Sequence, residues 1–203
     1  MISLAEPKNS PSEIHPFAEL SSLLASAARG DASSWRTLVE LYSRRVFALA
    51  RSRCNSAELA EEITQSVFVT IAAKLSSGQY TEEGKFEPWI FRVAMNRIRD
   101  EVRRRNRHAV PTDSDSLGSI PSLETLPSPG DQEHAAQELS ALRLALSELT
   151  DSDREIIELR HHGQMNFKDI SELLDEPLGT LLARHHRALR KLKELIEQQL
   201  KPA

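Results

Sequence analysis

The sequence predicts an all-α protein in which two small helical domains are joined by a flexible linker. Apolar residues recur at spacings of three and four through most of the chain, which is the pattern of helices that bury one face. Several of these stretches begin with a residue type that caps a helix N-terminus. The pattern stops in residues 108–130, which contain four prolines and no lysine or arginine, as expected for a linker.

These observations divide the 203-residue chain into four parts. Residues 1–16 contain three prolines and few apolar side chains, so we expect a flexible tail. The first helical domain is predicted to span 17–107 and the second to span 131–203. The acidic, proline- and serine-rich linker lies between them.

Two properties of the composition limit the location and chemistry of the protein. No apolar run approaches the roughly 18 residues of a membrane-spanning helix, and the N-terminus lacks the basic start and apolar core of a secretory signal. We therefore predict a cytoplasmic protein. Cys54 is the only cysteine, which excludes an internal disulfide and a cysteine-based zinc site. We expect it to be a buried structural thiol.

The formal net charge of -4 is unevenly distributed along the chain. Residues 18–107 hold 15 Lys+Arg against 11 Asp+Glu, whereas residues 108–138 hold none against six. Because the acidic excess is concentrated in the middle, this acidic chain can still present basic surfaces to nucleic acid.

Four helices are predicted in the first domain. The first ends at Gly30, and Asp31 can cap the second. Asn55, followed by Glu58, can cap the third. A polar loop then leads to a fourth helix that begins near Glu87.

The exposed face of the third helix is acidic. Along it lie Glu61, Glu62 and Gln65. On composition alone, an ordinary solvated face and a docking surface for another protein are equally good interpretations.

The fourth helix carries a row of polar and basic side chains opposite its apolar face. This row consists of Arg92, Asn96, Arg99 and Arg103. The arginines suit phosphate groups, and the amide of Asn96 can present a paired donor and acceptor to a base. An arginine-rich helix C-terminus also complements the helix dipole, but a second basic helix downstream favours DNA.

The second domain is predicted to contain a helix-turn-helix. Thr150 can cap one helix, and Asn166 can cap a shorter one whose pattern breaks at Asp175. A basic helix follows from Pro177 and carries no acidic residue as far as Lys193.

The outward face of that basic helix combines small and cationic side chains at helical spacing. In a recognition helix the N-terminal residues meet base edges in the major groove, and later basic residues reach phosphates. The face consists of Thr180, Ala183, Arg184, Arg187 and Lys191. A solvated amphipathic helix is the alternative, but the preceding cap and turn favour the DNA-binding motif.

The histidine pairs His161–His162 and His185–His186 invite a metal-binding interpretation. Adjacent helical residues point in different directions, and no spaced carboxylate or thiolate set accompanies them, so we predict no metal site. The sequence also lacks a glycine-rich phosphate loop. We therefore predict no cofactor and no enzymatic activity.

Four segments resemble RNA polymerase sigma factors of the extracytoplasmic function (ECF) group. AEEITQSVFVTIAAKL at 60–75 and EPWIFRVAMNRIRDEVRRRNR at 87–107 resemble sigma region 2. LSELTDSDREIIELRHHGQMNFKDISELL at 146–174 and PLGTLLARHHRALRKLKEL at 177–195 resemble region 4. The resemblance covers roughly residues 18–200. It implies a protein that joins core RNA polymerase, directs it to promoters and helps to open the duplex without catalysing a covalent step.

The resemblance also implies partners and roles for the residues of each domain. It assigns Glu61, Glu62 and Gln65 to polymerase binding, and it makes an anti-sigma factor a candidate partner. The row of the fourth helix, with the loop at 78–86, would bind the -10 promoter element and capture an unstacked base. The aromatic candidates for stacking on that base are Tyr80, Phe86 and Trp89, although the apolar pattern of the fourth helix favours a core position for Trp89.

In the second domain, the resemblance implies that the outward face of the basic helix reads the -35 element in duplex form. Leu182 and Ala183 stand where the family often has a Lys-Ser pair, so the family's detailed base preference does not carry over to this chain.

Two other functions remain open from the sequence. A helix-turn-helix regulator would bind DNA without polymerase and use residues 18–107 as an interaction domain. A helical adaptor would place its arginines against acidic protein surfaces and show no salt-dependent association with DNA.

Overall fold

The computed structural model describes residues 16–54, 56–108 and 129–200, and these ranges contain eight α-helices and no strand. The helices are α1 (Pro16–Ala28), α2 (Ala32–Arg53), α3 (Ala57–Ser76), α4 (Phe86–His108), α5 (Pro129–Ser147), α6 (Asp151–His161), α7 (Phe167–Leu174) and α8 (Leu178–Gln199). The predicted all-α class is confirmed. Most of the predicted tail and linker lies outside the described residues. None of the described helices combines the length and apolar character needed to cross a membrane.

Helix starts follow local capping chemistry, as predicted. The side chains of Asp31, Thr150 and Asn166 each accept a hydrogen bond from the backbone amide three residues later. Each bond satisfies an amide that has no partner within its helix. The cap expected at Asn55 lies outside the described residues, and the side chain of Ser56 caps α3.

The first bundle consists of α1–α4, and α4 supplies much of its core. Ile90, Ala94 and Ile98 on its apolar face are buried, and so are Phe91 and Met95. Burying an isoleucine, phenylalanine or methionine side chain contributes roughly 1.5–3 kcal/mol. The packing fixes which face of α4 points outward.

Cys54, at the C-terminus of α2, is buried as predicted. Burial raises the pKa of its thiol, which keeps the group protonated and unreactive.

The second bundle consists of α5–α8, in which α8 packs against the other three helices. The apolar residues Ile156, Ile157 and Leu159 of α6 are buried. At the end of α6 the chain turns at Gly163, where a Cβ would lie 2.6 Å from the carbonyl oxygen of Leu159. Only glycine fits this close approach.

The two bundles also pack against each other, which the sequence did not predict. α4 contacts α7 and α2 contacts α6, and the buried residues of both bundles form one continuous apolar cluster. The carboxylate of Glu158 is fully buried at this contact. The position of α6 and α7 therefore affects access to the outward face of α4.

Candidate nucleic-acid interface

Short-range hydrogen bonds fix the predicted turn between α7 and α8. α7 ends at Leu174, and Asp175 adopts a left-handed backbone conformation with φ +55°. The amide of Glu176 donates to the carbonyl of Ser171, and the hydroxyl of Ser171 donates to the carbonyl of Glu176. Pro177 then occupies the N-cap position of α8, just before the first helical turn in which it was expected. The helix-turn-helix is therefore present.

α8 has one buried face and one exposed face. Leu181, Ala188 and Leu192 are buried against the other helices of the second bundle. Four of the five predicted DNA-reading residues are exposed on α8, namely Thr180, Ala183, Arg187 and Lys191. Small side chains near the helix start and cations farther along suit close approach to a major groove.

The fifth predicted residue, Arg184, is half-buried and has a fixed orientation. Its Nη1 donates to Oε1 of Glu176 over 2.7 Å, and Glu176 lies in the turn before α8. This ion pair ties the guanidinium to the turn, so its direction is set before any ligand arrives.

A groove of about 540 Å³ lies along the basic side of α8. Its lining includes Arg184, Arg187, Arg190 and Lys191, together with Asp153 and Glu194. Arg190 was missed by the sequence analysis, although it follows Arg187 by the three residues that place side chains on one side of a helix. Four cationic groups around one groove suit phosphate oxygens.

The predicted row on α4 is divided in two by the second bundle. Arg92, Asn96 and Arg103 are exposed, whereas Arg99 is half-buried. Arg92 donates from Nη2 to the carbonyl oxygens of Glu172 (2.9 Å) and Leu173 (3.2 Å) at the end of α7.

Arg99 of the same row forms an ion pair with Glu155 of α6. Burial raises the pKa of the Glu155 carboxyl, and the charge of Arg99 opposes that shift. Two of the four row residues, Arg92 and Arg99, thus already bind groups of the second bundle.

Aromatic side chains cluster beside the start of α4. The rings of Tyr80 and Trp89 are stacked with centroids 4.2 Å apart, and both residues are half-buried. Phe86 contacts both rings but is only 1% exposed. The expectation that Phe86 could stack on a base is therefore wrong, because its ring lies within the core. Burial and the hydrogen bond from its hydroxyl to Glu82 raise the pKa of Tyr80, which keeps the hydroxyl protonated.

The acidic face of α3 is open. Glu61, Glu62 and Gln65 are all exposed, while Ile63 and Val67 beneath them are buried. These three polar side chains are therefore accessible to a protein partner in this conformation.

The histidines contribute to packing in the second bundle. The ring of His185 on α8 lies 5.8 Å from that of His161 on α6 and 5.0 Å from that of Phe167 on α7, measured between centroids. His185 is half-buried between these helices. Within the described ranges, no group of three or more His, Cys, Asp or Glu side chains is arranged to hold a metal ion.

Comparisons with known proteins identify both halves of the chain. Residues 38–108 match the family Sigma-70 region 2, and residues 145–194 match Sigma-70, region 4. Together, the two matches cover more than half of the chain.

Individual relatives agree with the two family matches. The ECF RNA polymerase sigma factor SigE of Mycolicibacterium smegmatis is 30% identical over 166 residues, which cover 80% of this chain and 62% of that relative. The ECF sigma factor SigW of Bacillus subtilis is 24% identical, and the alignment covers 82% of this chain and 90% of that protein.

The fold is also similar to that of a solved structure, the sigma factor RpoE in complex with the anti-sigma factor NepR from Bartonella quintana. The TM-score is 0.59 at 23% identity, covering 82% of this chain and 98% of that one. The order of region 2 and region 4, the two basic helices and the helix-turn-helix lead to one conclusion: this chain belongs to the sigma-70 family of RNA polymerase sigma factors, in its ECF group.

Proposed function

We propose that this chain binds core RNA polymerase and directs promoter-specific initiation through two DNA-binding domains, residues 17–107 and 131–203. The observation that carries the proposal is that each sigma region presents a basic helix face with a different chemistry. α8 offers small and cationic groups suited to duplex DNA, and α4 offers arginines around one amide. No step in this function requires covalent catalysis or a cofactor, and we propose a cytoplasmic location.

The -35 element would be read by α8. Thr180 and Ala183, near its N-terminus, are small enough to let the helix approach base edges, while Arg184, Arg187 and Lys191 reach bases and phosphates. Leu182 is 43% exposed on the same helix, but its side chain has no group that can bind a phosphate. We therefore expect the guanidinium of Arg190 to supply one of the phosphate contacts.

The -10 element would be bound by α4. Arg92, Arg99 and Arg103 would hold the phosphate backbone, and Asn96 would contact a base. Extruding a base from the stack costs a few kcal/mol, so an aromatic platform must compensate. Tyr80 and Trp89, half-buried at the start of α4, are the side chains available for that role.

Polymerase binding would use the acidic face of α3, which consists of Glu61, Glu62 and Gln65. Exposed carboxylates are suited to a basic partner surface, because complementary charge steers the two proteins together and fixes their register. An anti-sigma factor is a further proposed partner, since the similar RpoE structure contains one.

Run-off transcription with core polymerase on a pool of upstream DNA from the source genome tests this proposal. We expect promoter-specific transcripts that depend on the protein and fall at least fivefold for Arg187→Ala and for Asn96→Ala, as losing a base or phosphate contact worth about 1–3 kcal/mol would produce. Arg36→Ala removes an exposed arginine of α2 outside both proposed surfaces and is the matched control.

The polymerase contact is tested separately by affinity for core polymerase without DNA. Glu62→Lys should weaken binding about tenfold, corresponding to roughly 1.4 kcal/mol. Glu40→Lys makes the same charge change at an exposed position of α2 and should leave it unchanged. Promoter selection by the chain in the absence of polymerase would overturn the proposal in favour of an independent helix-turn-helix regulator.

A further inference from the structure

Large apolar side chains are exposed along one edge of α8. Of the seven large apolar side chains that are exposed in the described residues, three lie on this helix, namely Leu178, Leu182 and Leu189. They follow one another by four and seven residues, so they share one edge of the helix, which we call the apolar edge. A single exposed leucine is ordinary, whereas a row of three on one helix indicates a contact surface.

The cations of α8 lie on the opposite side of the outward face. With 3.6 residues per turn, Arg184, Arg187 and Lys191 are rotated about 140–180° around the helix axis from Leu182. These three residues border the groove described above, and we call them the cationic edge. α8 therefore presents two chemically different edges on either side of its outward face.

The N-terminal part of the face between these edges is small and uncharged. Gly179 and Ala183 are both exposed there. A Cβ at Gly179 would meet no atom within 4 Å, and the φ of this residue lies outside the left-handed region. Glycine weakens a helix relative to alanine, so neither packing nor backbone conformation accounts for it. Close approach of a ligand to the backbone does account for it.

The chemistry of Leu182 restricts what it can contact in a major groove. Its side chain has no hydrogen-bond donor or acceptor, and a leucine placed against a cytosine amino group or a guanine oxygen would leave that polar group unpaired. Thymine presents an apolar C5-methyl group in the major groove, which the other three bases lack. Leu182 borders on Gly179 and Ala183, whose small size lets the helix come close enough for the isobutyl group to bury a methyl group.

We infer that Leu182 selects a thymine in the upstream promoter element by burying its C5-methyl group, and that Gly179 provides the space for this approach. The inference rests on the proposed function, because α8 must lie in the major groove for Leu182 to reach a base. The cationic edge binds one phosphate backbone while the apolar edge lies against the bases. Leu182 and Gly179 thus join the predicted face of α8 as residues that determine sequence preference.

Selection from a library of random DNA duplexes finds the preferred sequence, first with the free chain and then with its complex with core polymerase. We expect an A·T pair at one position of the selected upstream element. Replacing the thymine of that pair with deoxyuridine removes only the methyl group. Affinity should fall about threefold to fivefold, which is the loss expected for one buried group of this size.

Variants of Leu182 test whether this residue is responsible for the loss. Leu182→Ala should bind the thymine and the uracil duplexes equally, because the partner of the methyl group is gone. Leu182→Lys supplies a donor and should shift the preferred pair to G·C. Leu41→Ala removes an exposed leucine of α2 and is the matched control, which should keep the full loss with uracil.

Gly179→Ala separates a role in DNA binding from a role in folding. The added methyl group has free space in the protein, so the temperature of thermal unfolding should stay the same or rise. Binding of the thymine duplex should weaken severalfold, because the same group would lie between α8 and the DNA.

The possible results distinguish this inference from the proposed function. If uracil causes no loss at any selected thymine, or if Leu182→Ala keeps that loss, the inference is wrong and the proposed function stands. If Leu182→Ala instead lowers the affinity for core polymerase without DNA, the apolar edge is a protein contact and the inference is again wrong. If neither the free chain nor its complex with polymerase selects any sequence, the proposed function fails and the inference fails with it.

Discussion

The basic faces of α4 and α8 differ in what surrounds them, although both are arginine-rich helices over apolar cores. On α8, Arg187, Arg190 and Lys191 line an open groove, and Arg184 is oriented by Glu176 from its own bundle. On α4, Arg92 and Arg99 bind atoms of the other bundle. One face is complete within its own domain, whereas the other depends on the arrangement of two domains.

This difference follows from what each face is proposed to bind. A duplex presents phosphates at fixed spacing, so a recognition helix gains from rigid, exposed cations. A surface for unpaired bases would bind any single strand through charge and stacking if it were always open. In this structure α7 and α6 bind Arg92 and Arg99 and so occupy part of that surface.

The largest expected effects are on the free energy of unfolding, and they test whether the two bundles unfold as one unit. Phe91→Ala should lower the free energy of unfolding by about 3–5 kcal/mol, because it removes a fully buried ring beneath the α4 row. Leu181→Ala should lower it by about 2–5 kcal/mol from the buried face of α8. Urea denaturation of each variant measures both values.

The positions of the two tryptophans allow the same variants to show whether the two bundles unfold together. Trp35 and Trp89 both lie in the first bundle, whereas Leu181 lies in the second. If the bundles are coupled, Leu181→Ala shifts the tryptophan fluorescence transition as far as the circular dichroism transition. A fluorescence transition unchanged by Leu181→Ala would show that the bundles unfold independently and that the contact between α4 and α7 is weak.

Features that depend on neighbouring residues were predictable from the sequence. The caps at Asp31, Thr150 and Asn166 were identified correctly because each needs only a side-chain oxygen and an amide three residues later. The faces of α4 and α8 were likewise predicted from the helical period. The base contacts and the polymerase contact proposed for those faces stay predictions.

Features that join distant parts of the chain were not predictable in the same way. The pairing of Arg53 with Glu158 spans 105 positions, and no local pattern specifies it. One signal was present, however. Glu158 is flanked by Ile156, Ile157 and Leu159 in a helix buried on several sides, and a charge in that position requires a partner from another element.

The two basic faces should also differ in the free chain's affinity for duplex DNA. Arg187→Ala should weaken binding several-fold and reduce the salt slope by roughly 0.9, because one phosphate contact is lost. Arg99→Ala should cause no loss, because Glu155 already occupies that guanidinium. Fluorescence anisotropy across a salt series measures both. Equal losses for the two variants would mean that α4 is accessible without polymerase.

The smallest expected effect is a dependence of stability on pH that arises from a histidine of α8. Burial, and then the charges of His161, Arg160 and His186, lower the pKa of His185 below its usual 6.5. The unfolded chain therefore binds a proton that the folded chain resists, so stability is full above pH 6.5 and falls as the pH drops below it. Replacing His185 with asparagine should reduce the loss of unfolding free energy between pH 7.5 and 5.5. His162, whose pKa is also lowered by burial, would account for the part that remains. If the variant has the same pH dependence as the unmodified protein, protonation of His185 does not weaken its packing against α6 and α7.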